Sequence, residues 1–323
     1  MDRARPIILI LGPTAGGKTR LAIDLARTLP GGGECVCADS MQVYRGMNIG
    51  TAKPTEQEQA EAPHHLIDIA DPADDGFSVD RWLDLVEKAI EQVRSRGRFP
   101  IVVGGTNLYI QALLEGLFEG PQPDQDLRER LGAMDGQELR QWLMRVDSAS
   151  AERIHPNDRK RTIRAIEVFE QTGRPISELQ QQWQAGSARD DILIVGLDWP
   201  AEEINRRINA RVREMIERGL VEEVRGLWED GLLGVQAREA LGYKQIIEHL
   251  EGRCPLAEAV EQVKIRTRRY AKQQRTWLRR FKAKGNSIWL EAGQESPQDL
   301  VQQAVTFIDS QLSPHPRSAS GGG

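Results

Sequence analysis

Apolar residues along most of this chain follow two alternating spacings. Short β-like runs, mostly apolar, at Ile7–Leu11, Cys35–Ala38, Leu66–Ile69, Ile101–Val103, Ile192–Leu197 and Ser287–Leu290 predict strands. Helical spacing fills most of the intervals, as in Leu21, Ala22, Leu25 and Ala26, and in Val79–Arg94 and Ile204–Asp230. Strands alternating with helices predict an α/β fold, a mostly parallel sheet covered on both faces. Ligands then bind beyond the carboxyl ends of the strands. From about Pro121 to Ser187 the alternation stops. Only short amphipathic helices are expected there, such as Leu127–Leu131, Leu139–Leu143 and Arg161–Phe169. Gly116, Gly120, Pro121 and Pro123 mark the entry, and Gly186 with Ser187 the exit. The expected organisation is a core of residues 1–120 and 188–312 with a helical insertion at 121–187. The Ser-, Pro- and Gly-rich tail 313–323 is expected to be disordered.

Composition narrows the class. The 323 residues are 39% hydrophobic and 28% charged, as in soluble globular proteins. No apolar run approaches the roughly 20 residues of a membrane span. The first strand is entered by Ile7, which leaves no room for a signal peptide. Three cysteines are too few for a disulfide framework. Cys35 and Cys37, on one face of a predicted strand, read as buried reduced thiols. A cytoplasmic protein is expected. The net charge of −5 hides an asymmetry: Lys264–Lys284 holds ten Lys/Arg and no acid, leaving −15 on the remainder. Such a segment is directed at something anionic.

Candidate chemistry begins at Gly12-Pro13-Thr14-Ala15-Gly16-Gly17-Lys18-Thr19. This run fits G-x-x-x-x-G-K-[ST] between a predicted strand and a predicted helix. Glycines let successive amides point into one concavity, the helix N-terminus adds positive potential, Lys18 reaches the outer phosphate, and the Thr19 hydroxyl suits Mg²⁺. The motif does not say which polyphosphate it holds. Two strand ends should face this loop, one running into Asp39 and the other into Gly104-Gly105-Thr106. The second lacks the carboxylate that a motor ATPase places there. Asp39 is either a Mg²⁺ carboxylate or a general base. None of the five histidines has metal-ligand spacing.

The phosphate loop, Asp39-Ser40-Met41-Gln42-Val43-Tyr44-Arg45-Gly46-Met47-Asn48-Ile49-Gly50-Thr51-Ala52-Lys53-Pro54, Gly104–Tyr109, Arg153–Asp158, Gly242–Gln245 and Thr267–Arg279 together resemble the bacterial tRNA dimethylallyltransferase family, in order from about Ile7 to Leu290. The resemblance implies a P-loop NTPase-like parallel core with an inserted all-helical tRNA-binding subdomain and a helical C-terminal region. It implies transfer of a dimethylallyl group from dimethylallyl diphosphate to N6 of the adenosine 3′ of the anticodon, in tRNAs reading codons that begin with U. The phosphate loop, residues 12–19, would then hold the prenyl donor's diphosphate, with Mg²⁺ on Thr19. By the same resemblance Asp39 is the general base, Arg211 meets the diphosphate, and Thr106 bonds near the reacting centre. Ser40, Met41 and Gln42 would read the adenosine. Arg128 and Lys160-Arg161-Thr162-Ile163-Arg164 would add RNA contacts.

The basic segment fits an RNA backbone rail. Arg268, Lys272, Arg275 and Arg279 share one helical face; Tyr270, Gln274, Trp277 and Phe281 share another, and its aromatics are expected as core anchors. A monomer binding the tRNA anticodon stem-loop, and no membrane, is expected. The alternatives are an adenylate isopentenyltransferase acting on free nucleotide, a P-loop nucleotide kinase and a non-catalytic RNA-binding protein.

Overall fold

The computed structural model describes residues 4–74, 77–117, 120–184, 189–282 and 285–312. The chain divides into two compact units, Met1–Ile110 with Asp190–Gly323, and Gln111–Arg189. Residues 313–323, expected as a disordered tail, lie outside the described residues.

The larger unit is built on six parallel strands, β1 (Ile7–Leu11), β2 (Gly33–Cys37), β3 (His64–His65), β4 (Phe99–Val103), β5 (Ile192–Asp198) and β6 (Ser287–Glu291), in the order β3-β2-β4-β1-β5-β6. β1 lies between β4 and β5, with Leu9 opposite Val102 and Ile194, and all five of its residues are buried. Burial on both faces explains why it reads as a continuous apolar run. Helix α1 (Lys18–Thr28) buries Leu21, Ala22, Leu25 and Ala26 against the sheet. α2 (Glu56–Glu61) starts in a capping box between Thr55 and Glu58. α3 (Val79–Ser95) buries Trp82, whose Nε1 donates to the Cys37 carbonyl at 2.9 Å. α4 (Asn107–Glu115) starts just beyond Gly104-Gly105-Thr106.

One expected strand is misplaced. Pairing with β2 is made by His64 and His65, while Leu66–Ile69 is irregular. Leu66 and Asp68 have φ of 62° and 55°, which no strand tolerates. The segment instead pairs with the chain after β2, where the amides of Ile69 and Ala70 donate to the Val43 carbonyl.

The smaller unit is helical throughout its described residues: α5 (Gln125–Ala133), α6 (Gly136–Val146), α7 (Ser148–Arg153), α8 (Arg159–Thr172) and α9 (Ile176–Gln184). Asp124, Asp135, Asp147 and Asp158 cap α5, α6, α7 and α8 in turn, each accepting a first-turn amide. Such caps contribute about 1 kcal/mol apiece. The core gathers Leu127, Leu131, Leu139, Leu143, Ile154 and Ile166. Beneath it Glu167, 0% exposed, accepts from both Arg128 and Arg164. This unit starts at Gln111, inside α4 and earlier than the turn residues near Pro121 suggested.

The larger unit resumes with β5, followed by α10 (Ala201–Glu217), α11 (Leu220–Glu229), α12 (Val235–Arg238), α13 (Tyr243–Leu250), α14 (Leu256–Lys282) and, after β6, α15 (Pro297–Leu312). The helical spacing over Ile204–Asp230 is carried by two helices, because Gly219 at φ 95° leaves the helical region and starts α11 afresh. Ile204, Ile208 and Val212 of α10 pack on Val263 and Ala271 of α14. No helix among the described residues is long and apolar enough to cross a membrane.

Candidate active site

The phosphate loop leaves β1 at Gly12 and enters α1 at Lys18. Ala15 and Gly17 take positive φ, 59° and 86°. Two side chains from beyond β5 hold the loop's outer side. Trp199 Nε1 donates to the Gly16 carbonyl at 3.0 Å, Arg207 Nε donates to the Ala15 carbonyl at 2.8 Å, and the guanidinium stacks over the indole at 4.5 Å. With the carbonyls drawn outward, the first-turn amides of α1, which have no partner inside the helix, are left for an anion. The expectation of a cradle made by every amide of residues 14–19 needs one correction. The Thr14 amide donates to Gln274 Oε1 at 2.8 Å, and the Gly16 amide donates to the Pro13 carbonyl at 3.1 Å.

Lys18 folds back over the loop, donating to the carbonyls of Gly12 and Pro13 at 3.1 and 2.9 Å. Burial, reinforced by nearby Arg211 and opposed by Asp39, pulls its pKa down to about 8. Burial also lowers the Arg211 pKa, against the attraction of Asp39. Asp39 thus acts on two desolvated cations, with Glu214 and Glu58 acting further on Arg211, and a desolvated cation pair favours a polyanion.

Asp39 follows β2 by way of Ala38. Its Oδ1 accepts from the amides of Met41 at 2.9 Å and Gln42 at 3.4 Å, which fixes the carboxylate's rotation. The neighbouring strand end is clamped to it. The Thr106 amide donates to the Ala38 carbonyl at 3.2 Å, and Thr106 Oγ1 accepts from the Ser40 amide at 2.9 Å. A Cβ at Gly104 would fall 2.1 Å from the Ala38 carbonyl oxygen, so only glycine permits this approach.

Polar groups that the sequence reading passed over hold the loop after Asp39. Glu223 of α11 accepts from the successive amides of Asn48, Ile49 and Gly50 at 3.0, 2.8 and 3.1 Å, and from the Tyr243 hydroxyl at 2.5 Å. Buried Lys53 donates to the Tyr44 carbonyl, Asn48 Oδ1 and Asp68 Oδ1. Gln42, expected beside the adenosine, spends its amide inside the protein: Nε2 donates to the carbonyls of Thr51 and Ala52, and Oε1 accepts from the Cys37 thiol. Cys35 and Cys37 are free and buried, and burial pushes the Cys35 thiol up to about 12.

Two cavities meet here. A polar one of about 470 Å³ is lined by Thr14–Thr19, Asp39, Gly105, Arg207 and Arg211. A more apolar one of about 270 Å³ lies among Met41, Ile208, Val212, Met215, Leu241 and Val263, with Ser40 and Thr106 also on its wall. Thr14, Asp39, Thr51, Arg211 and Tyr270 line both. Lys18, Thr19, Asp39, Thr106 and Arg211 thus come to one place. The apolar wall comes from α10 and α14, which only the fold brings there. His64 also lines the polar cavity; its Nδ1 lies 2.8 Å from the Ala62 carbonyl, and burial lowers its pKa.

On α14, Lys272 is exposed, Arg275 half-buried, and Arg268 bonded to Asn209 Oδ1 at 2.6 Å and Glu261 at 3.4 Å. Lys284 lies outside the described residues. Of the three aromatics expected as core anchors, Phe281 is buried with Trp277 edge-on to it. Tyr270 lines the cavities instead, its hydroxyl donating to the Gly105 carbonyl at 2.8 Å. In the smaller unit Lys160 and Arg161 are exposed. Thr162 is buried with its hydroxyl on the Asp158 carbonyl, and Ile163 packs on the unit's core. Arg128 and Arg164 are engaged with Glu167, and Arg164 also donates to the Pro121 carbonyl at 2.9 Å.

Residues 42–281 match the family model described as IPP transferase. The chain is 47% identical over 277 residues to tRNA dimethylallyltransferase 2 of Geotalea uraniireducens, covering 84% of this chain and 88% of that one. It is 46% identical over 281 residues to the tRNA dimethylallyltransferase of Geobacillus thermodenitrificans, covering 84% and 87%. The full-length tRNA isopentenylpyrophosphate transferase of Bacillus halodurans superposes with a TM-score of 0.71 at 37% identity, over 96% of this chain and 97% of that one. A eukaryotic dimethylallyltransferase acting on tRNA superposes at 0.80 with 28% identity, over 97% and 81%.

Proposed function

The chain belongs to the IPP transferase family, and on that premise we propose that it transfers a dimethylallyl group from dimethylallyl diphosphate to N6 of the adenosine 3′ of the anticodon, in tRNAs that read codons beginning with U. The observation that carries this reading is the junction of the two cavities. A cationic, amide-rich pocket opens beside an apolar one, and a fixed carboxylate stands where they meet. A prenyl diphosphate has this division of polarity.

In the proposed reaction the adenine N6 attacks C1 of the dimethylallyl group, the C1–O bond breaks and diphosphate leaves. Asp39 takes the N6 proton as the C–N bond forms. Its Oδ1 is committed to backbone amides, which leaves Oδ2 for the incoming amine. Lys18, Arg211 and the first-turn amides of α1 take up the charge that gathers on the leaving diphosphate. Thr106 keeps Asp39 and Ser40 in register with the Gly104-Gly105 strand end. The adenine must be unstacked to enter, which costs least in a single-stranded loop.

Mg²⁺ fits this donor set. Among the described residues no group of three His, Cys, Asp or Glu side chains is arranged to cage a metal. A cation held by the Thr19 hydroxyl and the substrate's own phosphate oxygens is the usual Mg²⁺ arrangement. Bound there, it would neutralise diphosphate charge. The basic face of α14, with Lys272 and Arg275, serves the tRNA backbone, together with Lys160 and Arg161 of the smaller unit. The proposed enzyme is a monomer, working in the cytoplasm where tRNA is found.

The test is incubation with radiolabelled dimethylallyl diphosphate, Mg²⁺ and total tRNA, with AMP in a parallel reaction. Label mapping to the adenosine 3′ of the anticodon is expected. Label in AMP alone moves the activity to free nucleotide, and label in neither sinks the reading.

A further inference from the structure

Gln274 lies in the middle of α14, the helix that carries the basic face, and is 1% exposed. Its amide joins two pieces of the site that are far apart in sequence. Oε1 accepts from the Thr14 amide in the phosphate loop at 2.8 Å, and Nε2 donates to the Gly105 carbonyl at 2.9 Å. One turn earlier on the same helix, Tyr270 donates to that same carbonyl at 2.8 Å. The fit is close: a Cβ at Gly105 would lie 2.6 Å from Gln274 Nε2. The side chain therefore uses both ends of its amide, one as acceptor and one as donor, and no other uncharged residue of that length can do both. Neither bond reaches the cavity's reacting centre, and each holds backbone that does.

We infer that Gln274 is the positioning residue through which α14 sets the phosphate loop for a diphosphate, with Tyr270 as its second tie to the Gly104-Gly105 strand end. The inference rests on the diphosphate reading of that loop, and it does not depend on which acceptor receives the prenyl group. Without the Gln274 bonds the Thr14 amide loses its acceptor, and the loop between Pro13 and Gly17 loses the hydrogen bond that ties it to α14. The cost falls on donor binding rather than on RNA binding, because Lys272 and Arg275 stay in place on the helix surface.

The experiment compares wild type, Gln274→Ala and Gln274→Glu. Binding of inorganic pyrophosphate with Mg²⁺ is read by calorimetry, and KM for dimethylallyl diphosphate and for tRNA by kinetics. Gln274→Ala is expected to weaken pyrophosphate binding and raise the donor KM by about tenfold, with the tRNA KM within about twofold. Gln274→Glu keeps the shape. At pH 8.5 its carboxylate can accept from Thr14 but cannot donate to Gly105. As the pH falls toward 6 the protonated acid regains the donor, so its pyrophosphate affinity should recover relative to wild type. A generally loosened fold would show no such recovery. Pyrophosphate binding by Gln274→Ala within twofold of wild type overturns the inference, as does a Gln274→Glu/wild-type ratio that is flat with pH. If no variant, wild type included, transfers a prenyl group, the proposed reaction falls while the pyrophosphate titration still decides the role of Gln274.

Discussion

The helical core of the smaller unit and the phosphate-loop site of the larger one each hold charge away from water, and they do so in opposite ways. In the smaller unit the buried group is Glu167, and two arginines and the Asp124 amide answer it completely. Burial alone would push its carboxyl pKa up; the bonds from Arg128, Arg164 and Asp124 outweigh that and hold it below the ordinary carboxylate value. At the phosphate-loop site of the larger unit the desolvated groups are cations, Lys18 and Arg211; Asp39 is the carboxylate that acts on both, and Glu214 and Glu58 act further on Arg211. A compensated cluster is scaffold, since it needs nothing from outside. An under-compensated one is a binding site, since its desolvation is repaid only when an anion arrives. The contrast also separates arginines that look alike in sequence. Arg128 and Arg164 are tied to buried Glu167, whereas Arg161, with 77% of its side chain exposed, pairs with Asp158 at the start of α8.

The sharpest way to break this contrast is at Asp39, the carboxylate that acts on both cations. Asp39→Asn should lower single-turnover prenyl transfer by roughly 10²–10⁴-fold, with tRNA affinity measured by filter binding little changed. A retained rate would remove Asp39 from the base role. Next is Lys18→Met, which should weaken Mg²⁺-pyrophosphate binding by about 10–100-fold at pH 7. The pH dependence follows from the lowered pKa of Lys18. The ligand-free amine is charged below about pH 8 and neutral above it. The advantage of wild type over Lys18→Met should therefore be full at pH 7 and shrink as pH rises through 8. An advantage that grew with pH would contradict the assignment.

In the smaller unit, Glu167→Gln should cost about 3 kcal/mol of stability, read from denaturant unfolding, because it leaves the two arginines without their counter-charge. Its depressed pKa gives the sign with acid. The stabilisation is present above the ordinary carboxylate pKa of about 4.3 and is lost as pH falls through the lower folded value. Acid unfolding of the Gln variant should lack that component. The smallest effects should come from the exposed cations. Lys272→Ala and Arg161→Ala should each weaken tRNA binding and reduce the slope of log K against log salt by about 0.7–0.9, leaving unfolding unchanged. A drop in stability at Arg161 would place it with the scaffold arginines instead.

Much of the fold was legible because its strands are buried on both faces. That removes any polar alternation and leaves plain apolar runs such as Ile7–Leu11. Leu66–Ile69 looked the same and is not a strand. Its composition is apolar, but its backbone is turned by positive φ at two non-glycine residues, which no periodicity reports. Gly219 had a visible signal, a glycine inside a helical pattern, and it ends one helix and begins another. Tyr270 shares a helical face with Trp277 and Phe281, a spacing that suggests a core anchor, yet its hydroxyl meets the Gly105 carbonyl at the cavities. Helical phase fixes which face a residue is on, and leaves open whether that face meets other side chains or the rim of a cavity.

The sequence by itself determined the phosphate loop, the strand ends bearing Asp39 and Gly104-Gly105-Thr106, and the helical insertion, because each of these is a local pattern in which neighbours in the chain are neighbours in space. Only the tertiary structure decided that Gln274 ties Thr14 to Gly105, that Glu223 gathers the amides of Asn48–Gly50, and that Ile208, Val212 and Val263 wall the second cavity. Those contacts join residues up to 260 positions apart. They depend on how α10, α11 and α14 pack on the sheet, and packing is settled by the shapes of whole faces rather than by any short run of residues.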